Sequence, residues 1–252
     1  MRSYCFIEIE HLAEYDKCAL TLIYKLRVKM KKIIISIIAF FALTGASFAG
    51  SWGIGASGSI AKVAADGTET TTAGTVAGGA ANTNNKSVDE IGALGSLFLD
   101  YETDSGIVIG FSHVPMSGDV TGKTHSRTET AQGVSGADAS GSITRTADAE
   151  VENFNTLYVE YPMGSYFAKL GWSQIDVNTK ENVITDSGTY GNATLDGYTL
   201  GLGVNGSMGD FFTKTSVEYT DFEDLSLTST TSNKISANLD VIEFKIAVGK
   251  RF

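Results

Sequence analysis

Two glycine-rich stretches have spacings that resemble nucleotide-binding loops. Residues 201–206 read Gly-Leu-Gly-Val-Asn-Gly and match the dinucleotide fingerprint, but that fingerprint requires a helix after it. Here another strand-like segment follows. Residues 118–124 read Gly-Asp-Val-Thr-Gly-Lys-Thr, which is one residue too short between its glycines for a phosphate loop. We therefore interpret the first stretch as small positions on a strand and the second as a surface loop, and we expect no nucleotide cofactor.

The residues after position 49 that could support catalysis or bind a metal show no matching pattern. A hydrolase or acyltransferase needs a histidine beside a nucleophile or a carboxylate, and neither His113 nor His125 is placed in that way. Asp221, Glu223 and Asp224 could contact a divalent cation, but their spacing is not that of a cation-binding loop. We predict that the protein is not an enzyme and that it holds no metal.

The N-terminal region has the pattern of a secretory signal. A basic start at Met30-Lys31-Lys32 precedes an apolar run that is too short to span a bilayer comfortably. Small residues around Ala49 then fit the site that a signal peptidase reads. We predict a signal peptide over residues 30–49, and we interpret residues 1–29 as a non-native upstream extension that results from a misassigned start site.

Composition favours strands and turns. The chain has 252 residues, enough for one all-β domain or two ordinary domains, with 28 glycines against 2 prolines and a charged fraction of 19%. Its cysteines, Cys5 and Cys18, both precede residue 30, so the rest can form neither a disulfide framework nor a thiolate site. Residues 50–252 carry 25 acidic and 12 basic side chains. This excess argues against nucleic acid as a partner, because phosphates require Lys and Arg.

The end of the chain, residues 238–252, has the clearest strand pattern. One face carries Ile242, Phe244, Ile246, Val248, Lys250 and Phe252, and the other carries Glu243, Lys245, Ala247, Gly249 and Arg251. Because side chains of a strand alternate between two faces, this segment is a strand with one apolar side. A soluble sheet has no reason to end on an outward aromatic residue, whereas outer-membrane barrels close with such a strand.

Seven further segments alternate in the same way. Their connections alternate between long polar stretches and short turns, as in outer-membrane barrels, which have short periplasmic turns and longer external loops. The predicted long loops cover residues 63–90, 117–150, 176–196 and 221–234. The predicted strands cover residues 51–62, 91–101, 107–115, 153–161, 166–172, 198–205, 211–219 and 238–252.

Charged residues within these segments share one parity. A Lys or Arg that faced lipid at mid-membrane would cost about 2–4 kcal/mol, so we expect the charged parity to face the barrel interior. The predicted interior charges are Asp100, Glu160, Lys169, Lys214, Glu218, Glu243 and Lys245. The outward exceptions, Lys62 and Lys250, lie at strand ends, where long side chains can reach water.

Two further features are predicted at the short turns. A two-residue turn at Met163-Gly164 would place Tyr161 opposite Tyr166, and it would leave Lys169 diagonal to Glu160 and close enough to pair. Outward aromatic residues beside the short turns would form a girdle at the periplasmic interface. These residues are Tyr101, Tyr161, Tyr166, Phe211 and Phe252.

The signal at Met30, the eight alternating segments and the ending Phe244 to Phe252 resemble the small outer-membrane β-barrel family. That family includes the transmembrane domain of outer membrane protein A, outer membrane protein X and the opacity-type surface proteins. The resemblance covers residues 50–252 and implies an all-β fold, an eight-stranded antiparallel up-and-down transmembrane β-barrel. It places the protein in the outer membrane of a Gram-negative bacterium, with both mature termini in the periplasm.

The resemblance also implies partners. The barrel would contact membrane lipid, and its closing strand would be recognised by the barrel-assembly machinery during biogenesis. The residues that would carry this assembly signal are Phe244, Ile246, Val248 and Phe252.

Three functions remain open from the sequence. Because side chains just fill an eight-stranded barrel, the first hypothesis is a structural or surface-exposed protein whose four external loops act in adhesion or surface interaction. The second is a narrow porin-like channel, suggested by the small, polar inner faces of the first and sixth strands. The third is a soluble secreted barrel that binds an apolar ligand, which requires the apolar parity to face inward. The loop composition identifies no surface ligand.

Overall fold

The computed structural model describes residues 50–71, 82–115, 118–119, 125–130, 142–181, 189–230 and 232–252. At 71, 82, 118–119, 125–130, 142–148 and 181 only the backbone is described. The predicted upstream extension, residues 1–29, and the predicted signal peptide, residues 30–49, lie outside this part of the chain. No helix among the described residues is long and apolar enough to cross a membrane.

The described chain forms β-strands joined by turns. The strands are β1 Ser51–Thr71, β2 Asn82–Glu102, β3 Val108–Val114, β4 Gly118–Asp119, β5 His125–Thr130, β6 Ser142–Met163, β7 Tyr166–Glu181, β8 Ala193–Met208, β9 Phe211–Phe222, β10 Leu225–Thr228 and β11 Lys234–Arg251. Alternation of side chains along these segments, with many β-branched and aromatic residues, is what favours the extended backbone.

Eight of these strands form a closed ring. They pair antiparallel in the order β1-β2-β3-β6-β7-β8-β9-β11, and β11 pairs back onto β1. β4 and β5 pair with β6, and β10 pairs with β11, so these short strands prolong the wall at one end of the ring. The prediction of an all-β, eight-stranded antiparallel barrel is confirmed.

The short turns lie at the end of the barrel that also holds the two ends of the described chain. Gly164-Ser165 joins β6 to β7, and Gly209-Asp210 joins β8 to β9. Gly164 and Gly209 have φ values of 71° and 61°, which glycine adopts without strain in a tight hairpin turn. At the same end, the Phe252 backbone N–H donates to the Trp52 carbonyl at 2.8 Å.

The register of the β6–β7 hairpin differs from the predicted one. Tyr161 lies opposite Ala168, and Tyr166 lies opposite Met163, so the turn is one residue later than the predicted Met163-Gly164 turn. The pairing is therefore shifted by two residues. Because strand faces repeat every two residues, this shift leaves every side chain on its predicted face.

The predicted long loops are largely strand where the structure describes them. β1 and β2 continue through most of residues 63–90 and stay paired from Ser51 to Thr71. β6 begins at Ser142 and β7 ends at Glu181, each well inside a predicted loop, and β11 begins at Lys234, the last residue of another. The prediction of irregular loops over these residues is wrong. The physical reason is the polarity of the two faces of the wall, which is reversed in these residues.

Candidate functional site

Glycines on the wall leave room for large side chains in the interior. A Cβ at Gly53 would collide with the Asp100 carboxylate, and a Cβ at Gly203 would collide with the Phe167 ring. Gly203 belongs to residues 201–206, the stretch that matches the dinucleotide fingerprint. β8 runs through this stretch, and the next element is strand β9. These glycines are therefore wall positions beside bulky interior groups.

Lys214 of β9 is the centre of the first interior ion-pair group. Its Nζ lies 2.9 Å from Asp100 Oδ2 and 2.6 Å from Glu160 Oε2. Arg251 donates to the other carboxylate oxygen, Asp100 Oδ1, at 3.2 Å and pairs with Glu102 at 2.6 Å. The exposed fractions of Lys214, Asp100 and Glu160 are 6%, 1% and 4%. This group ties β2, β6, β9 and β11 together across the lumen.

Glu218 of β9 is the centre of the second group. Both of its carboxylate oxygens accept hydrogen bonds from Lys169 Nζ at 3.0 Å, and Oε2 also accepts from Lys245 at 3.0 Å. Lys245 pairs in turn with Glu243 Oε2 at 2.8 Å, and Ser59 donates to Glu243 Oε1 at 2.9 Å. All of the predicted interior charges thus lie in one of these two groups.

The pairing partners differ from the expected ones. Glu160 and Lys169 lie directly opposite each other in the β6–β7 register rather than diagonally. They do not pair, because each side chain extends across the lumen, Glu160 to Lys214 and Lys169 to Glu218. In a narrow barrel, inward side chains converge on the barrel axis. A long side chain therefore reaches side chains of strands across the lumen as readily as side chains of the neighbouring strands.

The interior cations and anions offset each other. Lys169 and Lys214 are buried cations, whereas Lys245 and Arg251 are partly exposed, and the buried anions are Asp100, Glu160, Glu218 and Glu243. Burying a charge is very costly unless it is paired and hydrogen-bonded. The two groups meet this condition, and they fill the lumen near the short-turn end together with the rings of Phe98, Phe167 and Tyr158.

A layer of hydroxyl groups adjoins the charges. Thr156, Ser173, Thr199 and Thr220 form a chain of hydrogen bonds of 2.9, 2.7 and 2.8 Å across β6, β7, β8 and β9. All four residues are buried. A hydroxyl can donate and accept, so Ser173 and Thr199 each make two of these bonds, and Thr156 and Thr220 each make one. The chain gives every one of these buried hydroxyls a partner.

Beyond the hydroxyl layer, toward the long hairpins, the interior is apolar. Phe154 and Phe222 meet edge to face, with ring centroids 5.7 Å apart. The buried members of this apolar layer are Ala61, Val114, Phe154, Ile175, Val177, Leu195, Phe222, Leu239 and Val241. Val63, Ala65, Leu94 and Val151 are among the partly buried residues that pack against it.

Little free space remains among the charged groups. A cavity of about 30 Å³ lies among Lys169, Lys214, Glu160 and Phe167, which is room for roughly one water molecule. The described interior is thus filled at three successive levels by charged and aromatic groups, by hydroxyls and by apolar side chains.

The outer surface carries an apolar belt. On β1 it runs from Trp52 to Ile60, nine residues, which matches the roughly 9–11 residues of a tilted transmembrane strand. Outward side chains in the belt include Ile54, Ile60, Leu97, Leu99, Phe111, Leu170, Leu200, Leu202, Val217, Ile242, Phe244, Ile246 and Val248, all of them exposed. A closed barrel with this surface can sit in lipid because its strands pair edge to edge around the ring, with β11 paired back onto β1.

Polar pairs mark the end of the belt toward the long hairpins. They are Lys62–Asp89 at 3.0 Å, His113–Asn155 at 2.8 Å, Gln174–Asp196 at 3.1 Å and Tyr219–Asp240 at 2.9 Å. We call this set the polar boundary. Beyond it the polarity of the two faces reverses, because water replaces lipid outside the wall. Asp66 then faces outward, while Val63 and Ala65 pack into the apolar layer.

This reversal explains why the predicted loops are strands. The described residues in the range 63–90 alternate, but Val63 and Ala65 face inward, opposite to the parity of the apolar residues in the membrane segments. At the level of the belt, Glu160 and Lys169 are buried and the apolar residues face outward. The soluble-barrel hypothesis requires apolar residues to face inward, and this arrangement holds only beyond the polar boundary. The described chain is a transmembrane β-barrel of the outer-membrane type whose wall continues past the membrane.

The residues considered for catalysis and metal binding are not brought together. His113 Nδ1 lies 2.8 Å from Asn155 Oδ1 at the polar boundary, and His125 lies in β5, where only the backbone is described. Glu223 accepts from the Asp196 backbone, while Asp221 and Asp224 are exposed. Among the described residues, no three His, Cys, Asp or Glu side chains are grouped to hold a metal. Of residues 118–124, only β4 is described.

The closing strand and the aromatic residues lie on the outer surface. Phe244, Ile246, Val248 and Phe252 all face outward, which is the orientation that recognition by an assembly factor would require. Tyr161, Tyr166 and Phe211 are exposed beside the short turns, whereas Tyr101 is half-buried against Trp52, with ring centroids 5.2 Å apart. Trp52 was not predicted in the girdle, although its outward parity on β1 and its pairing opposite Tyr101 could have indicated it. Lys250 also faces outward, 6.0 Å from the Phe211 ring centroid.

Comparison with known proteins yields similar structures but no similar sequence. No family model matches the chain, and no curated protein matches it. The outer membrane protein OprG of Pseudomonas aeruginosa has 14% identity and a TM-score of 0.43, over 80% of this chain and 96% of that chain. The outer membrane protein AlkL has 15% identity and a TM-score of 0.43, over 81% of this chain and 91% of that chain. Ail, the attachment invasion locus protein of Yersinia pestis, has 12% identity and a TM-score of 0.31, over 76% and 98%. These similarities are too low to carry a function over to this chain.

Proposed function

We propose that this protein is an outer-membrane barrel that is closed to passive diffusion and holds a stiff, β-structured surface outside the cell for contact with other molecules. The observation that carries the proposal is the filled interior. The ion pairs around Lys214 and Glu218, the hydroxyl chain and the apolar layer leave room for about one water molecule among the charged groups. A solute or ion that crossed the lumen would have to disrupt all three layers.

The part of the barrel beyond the polar boundary supports the second half of the proposal. β1 and β2 remain paired as far as Thr71 and Asn82, and the apolar layer gives this region a packed core. Loops and hairpins on such a rigid base commonly carry binding functions. The exposed surface would therefore present its contacts in a fixed geometry.

Conductance of the purified protein in planar bilayers tests the closed lumen. We expect no reproducible current steps under conditions in which a general-diffusion porin, inserted as a control, conducts. Regular steps that scale with the amount of protein would contradict the proposal and would favour the narrow-channel hypothesis.

Labelling of intact cells tests the proposed orientation, with both mature termini in the periplasm. Ser226→Cys places a thiol on β10 among the long hairpins, and Asp210→Cys places a matched thiol in a short turn; both native residues are exposed. A membrane-impermeant maleimide should label the first variant on intact cells and the second only after the outer membrane is permeabilised. The reverse result would contradict the orientation.

A further inference from the structure

A short connection before β8 is hydrogen-bonded to three separate parts of the wall. Residues 189–192, which we call the strap, end just before Ala193, where β8 begins. On β7, the Thr179 hydroxyl donates to the Tyr190 carbonyl at 3.2 Å, and the Thr179 backbone N–H donates to Asn192 Oδ1 at 3.1 Å. The first contact therefore anchors the strap to the strand beside β8.

The second contact joins the strap to the turn between β10 and β11. The Thr230 backbone N–H donates to the Thr189 carbonyl at 3.1 Å, and the Thr189 backbone N–H donates to Thr230 Oγ1 at 3.1 Å. Within the turn, the Ser229 N–H donates to the Asn233 carbonyl at 2.8 Å and the Asn233 N–H donates to Ser229 Oγ at 3.0 Å. Ser229 and Asn233 are both buried, so the strap is bonded to a well-defined part of the wall.

The third contact is a hydrogen bond to β1. The Tyr190 hydroxyl donates to Glu69 Oε1 at 3.3 Å. Val63 and Ala65 of β1 pack into the apolar layer. Because side chains of a strand alternate between two faces, Glu69 has the same inward parity. Tyr190 therefore reaches a side chain on the inner face of the barrel.

The first and third contacts lie on opposite sides of the ring. In the order β1-β2-β3-β6-β7-β8-β9-β11, with β11 paired back onto β1, β7 is the fourth strand from β1 in both directions. Thr179 shares the inward parity of Ile175 and Val177, which are buried in the apolar layer. The strap and the Tyr190 side chain therefore cross the barrel opening at the long-hairpin end, which we call the outer mouth.

Apolar side chains lie below the strap. Ala65, Ala193 and Leu225 pack against the apolar layer and are only partly buried, and each is toward the long-hairpin side of the buried residues on its part of the wall. Water that entered the outer mouth would contact them, which is unfavourable for apolar surface. Tyr190 is itself partly buried. Its side chain combines a large apolar ring with a hydroxyl that can bond a polar group on the far side.

We propose that the strap is a lid that closes the outer mouth, and that the Tyr190–Glu69 hydrogen bond is the latch that holds this lid in place. The closed lid keeps water from the apolar layer, and its opening exposes that layer to the surrounding water. A single hydrogen bond can break and re-form while the rest of the fold is intact. The inference goes beyond the filled lumen of the proposed function, because it concerns a movable contact above the filled levels.

The distance between two spin labels on the full protein in lipid nanodiscs tests the lid. The labels are attached at Gly191→Cys on the strap and at Thr70→Cys on β1, after Cys5→Ser and Cys18→Ser. A Cβ at Gly191 meets open space, and Thr70 is exposed, so neither label displaces a neighbour. We expect one narrow distance distribution, which Tyr190→Ala should broaden. A broad distribution before that change, or a narrow one after it, would overturn the inference.

Hydrogen exchange of the Thr230 amide, which donates to the strap, tests the latch. Tyr190→Phe, which keeps the ring, and Glu69→Ala should each speed this exchange about fivefold. Because both changes remove the same hydrogen bond, the double variant should exchange no faster than either single variant. Effects that multiply would show that the two side chains act independently and would refute the latch.

Tyr219→Phe is the matched control. It removes a hydrogen bond of the same kind, from the Tyr219 hydroxyl to Asp240 at 2.9 Å, at the polar boundary and away from the strap. It should change exchange of the Thr230 amide less than about twofold, and an effect equal to that of Tyr190→Phe would contradict the latch. A freely moving strap on a barrel that conducts no current would refute the lid and leave the proposed function standing.

Discussion

Lys214 illustrates how single residues hold the interior together. Its ammonium group lies between Asp100 and Glu160, and these three residues come from three different strands. Replacing both partners of a buried ion pair by apolar residues often changes the stability of the fold little. Removing only one partner is destabilising, because it leaves an uncompensated buried charge. The interior is therefore sensitive to single changes that break its charge balance.

We expect Lys214→Met to lower the free energy of unfolding by about 3–5 kcal/mol, because it leaves two buried carboxylates with one fewer cation. Urea unfolding of the protein in lipid vesicles, followed by tryptophan fluorescence, measures this change. Lys62→Met is the matched control, since Lys62 pairs with Asp89 at a half-exposed site and should contribute at most about 1 kcal/mol. Equal losses in both variants would contradict the assigned role of Lys214.

Asp176, beyond the polar boundary, gives a prediction about pH. Its carboxylate accepts hydrogen bonds from Thr194 at 2.6 Å and from Asn153 at 2.9 Å. Both bonds lower the pKa of Asp176 below its ordinary value of 3.8, and the bond from Thr194 has the larger effect. The pKa of Asp176 is therefore lower in the folded protein than in the unfolded chain, so ionised Asp176 stabilises the fold at pH values above the unfolded pKa. This stabilisation is lost as the pH falls through the folded pKa.

Thr194→Val should raise the pKa of Asp176 toward its ordinary value, and Thr194→Ser, which keeps the hydroxyl, should leave it low. Titration of the carboxyl carbon by NMR measures the midpoint. An unchanged midpoint in Thr194→Val would show that the hydroxyl does not stabilise the carboxylate.

At the scale of elements, the bulge in β6 keeps the two faces of the wall consistent. The register with β7 shifts between Glu152 and Asn155, and Asn153 adopts a φ of 53°. A shift of one residue exchanges the faces of a strand. The one-residue shift at this bulge allows both Val151 and Phe154 to face the apolar layer. Without the bulge, Glu152 would take an inward position in that layer.

Substitutions at Asn153 test this role. Asn tolerates positive φ, glycine tolerates it better, and a β-branched residue does not. We expect Asn153→Gly to change the free energy of unfolding by less than about 1 kcal/mol and Asn153→Val to lower it by about 1–3 kcal/mol. The same urea assay measures both. An equal effect of the two substitutions would show that backbone conformation at this position is not limiting.

At the scale of the whole molecule, one barrel wall contacts two environments, lipid and water. Below the polar boundary the wall is apolar outside and polar inside, and beyond it the wall is polar outside and apolar inside. The apolar layer should therefore stabilise the outer part of the barrel independently of lipid, because its burial depends on water around it.

We expect Phe222→Ala to speed hydrogen exchange of backbone amides in β1 from Ala61 to Ala65, since it leaves a cavity beside that part of the wall; such truncations cost about 3–5 kcal/mol. Amides between Ile54 and Ser59 should keep their protection. Val217→Ala, on the exposed outer face of the same strand, is the control and should change neither region. Uniform loss of protection along β1 would contradict an outer layer with its own core.

Residues 238–252 and 63–90 show which strands an alternating sequence pattern can identify and which it cannot. The closing strand was recognised because large outward residues such as Phe244 and Ile246 alternate with Glu243 and Lys245. The strand at residues 63–71 was not predicted because inward residues such as Val63 and Ala65 are small and because their parity is opposite to that of the apolar residues in the membrane segments. The predicted turn at Met163-Gly164 was one residue early, since a two-residue slip leaves the face pattern unchanged.

The chain alone shows that the strands exist, that they close into a barrel and that their faces within the membrane are apolar outside and charged inside. Lipid on one side of a strand and a polar interior on the other impose opposite demands on successive residues, so this information is local. Two other features required the folded molecule: the level at which the faces reverse and the partner of each interior charge. They depend on contacts between distant segments, such as Lys169 with Glu218, 49 residues apart, and Lys214 with Asp100, 114 residues apart. No local pattern records such contacts.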